Sequence, residues 1–144
     1  AEQTLDMNDD EVFNYLTTIG LPEVKEKLIN QKQIADKFNL ELIAYEAGQH
    51  LAPAGRSAEN EIWAENQILV DKLIRLNKDP RMYQLYMDMY KEWVNVGGGL
   101  IMWFKTTGTP SKWGSWGLLE NSGQDPQYAP KFRAFKKMLS DNGC

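Results

Sequence analysis

The 144-residue chain reads as an α/β domain, and three observations carry that reading. Two short apolar runs, residues 40–45 and 99–104, are too brief for helices and end in glycine or polar residues. Around them apolar residues recur at helical spacing, which gives the order α-α-β-α-α-β-α. Such alternation predicts two parallel strands joined by a helical crossover. A hydrophobic content of 42% then suits one domain spanning residues 1–144 with a real core.

The elements follow in order. Asn8 reads as a helix N-cap with Glu11 three positions on as its capping-box partner. Val12, Phe13, Leu16 and Ile19 form the first apolar stripe, which Gly20 is expected to stop. Pro22 suits the first turn of a second helix, with Val24, Leu28, Ile34, Ala35 and Phe38 on its buried side and an end near Asn39. Residues 40–45 form the first strand. Pro53, Ala54 and Gly55 make a loop, Ser57 caps the next helix with Asn60 and Glu61 in its first turn, and Ile62, Leu69, Leu73 and Leu76 give its stripe. Asp79-Pro80 breaks and restarts the chain, and Tyr83, Tyr86, Met89, Tyr90 and Trp93 make an aromatic stripe that reads as core.

Gly97-Gly98-Gly99 lies between that helix and the second strand. A phosphate loop needs the order strand, glycines, helix, so these glycines read instead as a helix end and a tight turn. Residues 105–124 are expected as a long ordered loop without regular structure, anchored by Pro110, Trp113, Trp116, Leu118 and Leu119. Asp125 and Pro126 open a last helix with Tyr128, Phe132, Phe135 and Leu139 on its buried side.

Composition excludes several classes. A net charge of −4 and a pI near 5.0 leave no basic face for nucleic acid. No apolar run approaches the roughly 20 residues that cross a bilayer. The one cysteine, Cys144, excludes an internal disulfide and reads as a terminal thiol. The one histidine, His50, makes a zinc site a poor fit, so no metal and no cofactor is expected. A serine-hydrolase elbow is also missing. No signal peptide opens the sequence, and the residues alone assign no compartment.

Chemistry-bearing residues gather where the two strands end. Glu46 follows the first strand and could act as a nucleophile or as an anchor for a hydroxyl; an ion pair or a helix cap is the structural alternative. Tyr45 points to the opposite side of the strand, and Gln49 and His50 follow on the same loop. Trp103 lies in the second strand, while Trp113 and Trp116 flank Gly114-Ser115 beyond it. Flat aromatic faces stack on the C–H faces of sugar rings; the alternative is that these rings pin a long loop to the core.

Three segments carry a resemblance: Tyr45-Glu46-Ala47-Gly48-Gln49-His50-Leu51, Asp79-Pro80-Arg81-Met82-Tyr83, and Pro110-Ser111-Lys112-Trp113-Gly114-Ser115-Trp116-Gly117-Leu118-Leu119-Glu120. Together they resemble the C-terminal part of bacterial secreted (β/α)8-barrel proteins that are similar to glycoside hydrolases and described as cellulose-binding. The resemblance implies a partial barrel-like unit, the last two βα units, in a secreted or periplasmic protein. It implies Glu46 as the nucleophile of strand seven and Trp103 as the sugar-supporting aromatic of strand eight; Ala47 departs from an expected glycine. The acid/base glutamate of strand four has no counterpart, and hydrolysis needs two carboxyl groups about 5–5.5 Å or about 6.5–9.5 Å apart. Glu120 lies in a loop and is a weak substitute.

Two parallel strands cannot close a barrel and leave both edges open, so self-association is expected. The reading that follows is a glycan-binding module without turnover, which would use Tyr45, Glu46, Gln49, His50, Trp103, Trp113 and Trp116 on an oligo- or polysaccharide. Its alternatives are a structural or interaction oligomer and a glycosidase whose composite site pairs Glu46 from neighbouring copies.

Overall fold

The computed structural model describes residues 2–53 and 63–143. The expectations for Ala54, Gly55, Ser57, Asn60, Glu61, Ile62 and Cys144 lie outside the described residues. The chain is mixed α/β, with two small parallel sheets among the described residues, and helices dominate.

After a short helix α1 (Glu2–Asp6), helix α2 (Asp9–Tyr15) starts as expected. The Asn8 side chain accepts from Glu11 N at 2.9 Å, and the Glu11 carboxylate accepts from Asn8 N at 2.6 Å. The expected stop at Gly20 is absent. Leu16–Gly20 form a π-turn that runs directly into α3 (Leu21–Lys37). Gly20 takes ordinary helical angles (φ −62°, ψ −47°), and Leu21 N–H donates to Leu16 O, one residue farther back than in an α-helix. The Thr17 and Thr18 hydroxyls donate back to Phe13 O and Asn14 O at 2.7–3.1 Å, and Pro22 has no N–H to demand a partner. A wider turn therefore replaces a break.

Helix α3 buries none of its residues, contrary to expectation: Val24, Ile34 and Phe38 are all exposed. Part of its contact with the helix after Pro80 runs through long polar side chains, with Lys25 Nζ 3.0 Å from Glu92 and the Lys32 stem against Gly97.

Asn39, at φ 52°, ends α3, and Leu40 N donates to Ala35 O. Residues 40–43 are the approach to strand β1 (Ala44–Ala47), so the strand sits later than expected and contains Glu46 rather than ending before it. It pairs in parallel with β2 (Ile101–Trp103): Ala44 opposes Ile101 and Ala47 opposes Trp103, with a bulge between. The parallel pairing expected from the alternation is thus present. The stretch expected as an irregular loop holds a second parallel pair, β3 (Lys105–Thr107) with β4 (Gly117–Leu119). Beyond Phe104 the chain stays extended through Thr106 and Thr107, and Gly117 lets the β4 backbone close on Gly108, where a Cβ would lie 2.4 Å from Gly108 N.

Helix α4 (Gln67–Lys78) is capped by Asn66, and α5 (Arg81–Asn95) restarts after Pro80. The last helix also differs from expectation. Asp125 caps only a 3-10 turn (Pro126–Tyr128), and the last helix, α6 (Pro130–Asp141), begins after it. Ala129, held extended at φ −111° and ψ 86° before that proline, separates the two. The restart turns Pro130, Ala134 and Met138 inward, leaves Phe132 and Phe135 half-buried, and exposes Tyr128 and Leu139.

One core joins these pieces: Val12 and Phe13, then Leu69, Leu73 and Leu76, then Met82 and Tyr86, Leu118, and Ala134 with Met138. Buried Lys72 donates from α4 to the carbonyls of Thr4, Leu5 and Met7, which satisfies the end of α1. Arg81 binds both Asp79 oxygens (2.7–2.8 Å), reaches Asp10 at 2.6 Å, and lies 4.2 Å above the Phe13 ring.

Candidate functional site

The C-terminal ends of β1 and β2 meet the 111–116 turn, and most of the expected site residues lie there. Alternation in β2 sends Ile101 and Trp103 toward the helices and Leu100, Met102 and Phe104 away from them. Trp103 accordingly stacks on Tyr86 of α5, with ring centroids 5.0 Å apart at 19°. It is half-buried and stands apart from Trp113 and Trp116.

In β1 the bulge carries Tyr45 and Glu46. Tyr45 is 79% exposed. Glu46 is exposed and makes no hydrogen bond or ion pair among the described residues.

Gln49 ties this strand end to the second loop. Its Nε2 donates to Ser115 O at 2.9 Å, its Oε1 accepts from Leu51 N, and its backbone N–H points at Tyr86 Oη, 3.4 Å away. Gly48, at φ 149°, supplies a backbone conformation that few other residues adopt. Burial pushes the Tyr86 hydroxyl up to about 12, and the Gln49 N–H acts in the opposite direction.

The turn itself is tightly built. Ser111 and Gly114 exchange both backbone hydrogen bonds (3.0–3.1 Å), and Trp116 Nε1 donates to Trp113 O at 3.0 Å. Gly114 sits at φ 134° directly beneath the Trp116 ring, where a Cβ would come within 2.3 Å of the indole. Trp116 meets the edge of His50 at 4.8 Å and of Phe104 at 6.0 Å. Trp113 is 57% exposed, and the Lys112 ammonium, paired with Glu65, lies 5.1 Å from its ring.

Beneath the turn lies a lysine that the sequence does not single out. Lys131 is 6% exposed and donates to Ser115 O at 2.5 Å and Asn77 Oδ1 at 3.3 Å. Burial pushes its ammonium down to about 8, partly opposed by Glu120. Ser115 O therefore receives both Gln49 and Lys131, which fixes the turn on the body of the protein.

His50, Phe104 and Trp116 thus form an aromatic shelf, with exposed Trp113 on the same turn and Gln49 tying that turn to the strand end. On the helix side of the strand ends opens a cavity of about 470 Å³, lined by Leu16, Leu21, Leu85, Tyr86, Gln49 and Trp103 among others. Its size is that of small-ligand sites. Phe104 was missed by the sequence reading, although strand alternation next to Trp103 already puts it on the opposite face. No cluster of three or more metal-ligating side chains occurs among the described residues. No helix there is long and apolar enough to cross a membrane.

No family, no curated protein and no solved structure matches the chain.

Proposed function

We propose that the chain is a carbohydrate-associated module, derived from a glycoside-hydrolase-like barrel, that binds a glycan without turning it over. The observation that carries this reading is the aromatic shelf: exposed rings at two strand ends, held in place by Gln49, Lys131 and the 111–114 turn. Sugar rings offer apolar C–H faces to such rings and hydroxyls to polar neighbours, here His50, Glu46 and Lys112. A shelf that is already rigid loses little conformational entropy on binding. Hydrolysis needs two carboxyl groups at a set separation, and the sequence offers no second strand-terminal glutamate to pair with Glu46.

The test is a tryptophan-fluorescence titration with a panel of soluble β-linked and α-linked oligosaccharides. The expected result is a saturable change for at least one of them that Trp113→Ala weakens tenfold or more. Trp113 is largely exposed, so this variant keeps the fold. No response across the panel would overturn the reading. Turnover of an aryl glycoside that Glu46→Gln abolishes would replace it with the composite-site glycosidase.

A further inference from the structure

The face of the β1–β2 sheet opposite the helices has no cover among the described residues. It presents Ile43, Tyr45, Leu100, Met102 and Phe104, which are 44–79% exposed. The register underlies this placement. Ala44 and Ala47 oppose Ile101 and Trp103 on the helix side, so Leu100 and Met102 in β2 and the exposed bulge residue Tyr45 in β1 lie on the other side, with Glu46 beside Tyr45 in the bulge. None of the five carries a charge at neutral pH. The outer edges of both strands are also unpaired among the described residues, since each pairs only with the other.

We infer that this face packs against the same face of a second copy of the chain, sheet on sheet. Area decides between a partner copy and a lesser occupant. At their observed exposures, five large side chains offer roughly 500 Å² of apolar surface, so two copies bury at most roughly 1,000 Å² through them, which reaches the lower bound for a specific interface. A two-fold arrangement satisfies both copies with one surface, because an isologous interface needs only a self-complementary patch. Five uncharged side chains meet that need. Sheets packed this way lie about 10 Å apart, which lets the five side chains interdigitate.

This inference stands independently of glycan binding. It is tested by light scattering on a sizing column over a concentration series of the chain. The expected mass is about 33 kDa, twice 16.5 kDa. Met102→Glu and Tyr45→Glu are each expected to halve it with unchanged far-UV circular dichroism, because neither side chain packs in the core. Trp113→Ala is expected to leave it unchanged. In parallel, backbone amides of residues 43–46 and 100–104 are expected to exchange more slowly as concentration rises, a readout that needs no variant. A mass near 16.5 kDa throughout, with exchange independent of concentration, would overturn the inference. So would a dimer that persists in both variants, which would place the interface elsewhere.

Discussion

Lys131 gives the sharpest test of how the site is held. Its ammonium is buried and, by burial, sits near 8 rather than 10.5. The folded state therefore holds this proton less tightly than the unfolded chain does. The direction follows: stability is lowest below pH 8, where the charge is buried in full, and rises as pH increases from about 8 to 10.5. A fall from 10.5 to about 8 corresponds to about 3 kcal/mol between the two limits. Most of this is recovered between pH 7 and pH 10. Tyr86 acts the other way: held at about 12, it makes the protein lose stability as pH passes 10. The exposed Lys137, raised by Asp141, also loses its contribution as pH rises. Lys131→Met isolates the first effect, since both other groups remain and Ser115 O keeps its bond from Gln49. The measurement is urea unfolding followed by tryptophan fluorescence at pH 7, 8, 9 and 10 for both proteins. Wild type is expected to gain about 2–3 kcal/mol relative to the variant across the series. Parallel curves would refute the argument, because they would mean that Lys131 titrates as it would in water.

Two further expectations concern the scaffold. Asn8→Ala removes one half of the reciprocal cap that starts α2 and is expected to cost about 1 kcal/mol of stability, measured by the shift of the urea midpoint at constant slope. Gly98→Ala would put a Cβ 2.2 Å from Cε2 of buried Trp93 and is expected to cost about 1–3 kcal/mol with a changed near-UV spectrum, while an unaltered spectrum and midpoint would show that the indole has room to move.

Features set by neighbours in sequence were legible from the residues. The Asn8–Glu11 cap depends on a four-residue window, and the parallel strands follow from the helical stretch that must connect them. Features set by competition between local choices were not. Gly20 permits a stop or a helix, and the Thr17 and Thr18 hydroxyls with Pro22 favour a π-turn. Either Pro126 or Pro130 can start a helix, and the extended Ala129 gives the start to the second, which turns the buried face away from Tyr128. The apolar stripe of α3 was readable as a stripe, but a stripe does not name what covers it, and Val24, Ile34 and Phe38 stand open. At the site, the neighbourhood of Gln49, His50, Trp113 and Trp116 was legible as two strand ends. The burial of Lys131 was not, because nothing beside it in the sequence announces the two carbonyl-type oxygens that receive it.

The same distinction bears on the three segments from which the sequence analysis draws its expectation of a barrel unit. In Asp79-Pro80-Arg81-Met82-Tyr83, Arg81 binds Asp79 and Asp10 over the Phe13 ring, and Met82 is fully buried, so this segment works as a clasp between α2 and α5. In the tryptophan segment, Trp116 is spent on the turn through its bond to Trp113 O, which leaves Trp113 as the ring with the freest face. Adjacent strand residues cannot share a face, so Trp103 under the helices requires Phe104 on the open side. Phe104 therefore belongs to both uncovered surfaces: its ring touches Trp116 of the shelf and continues the row from Leu100 and Met102. A second copy seated on the open face would wall one side of the aromatic shelf, so association and glycan recognition, tested separately, would meet at this one ring.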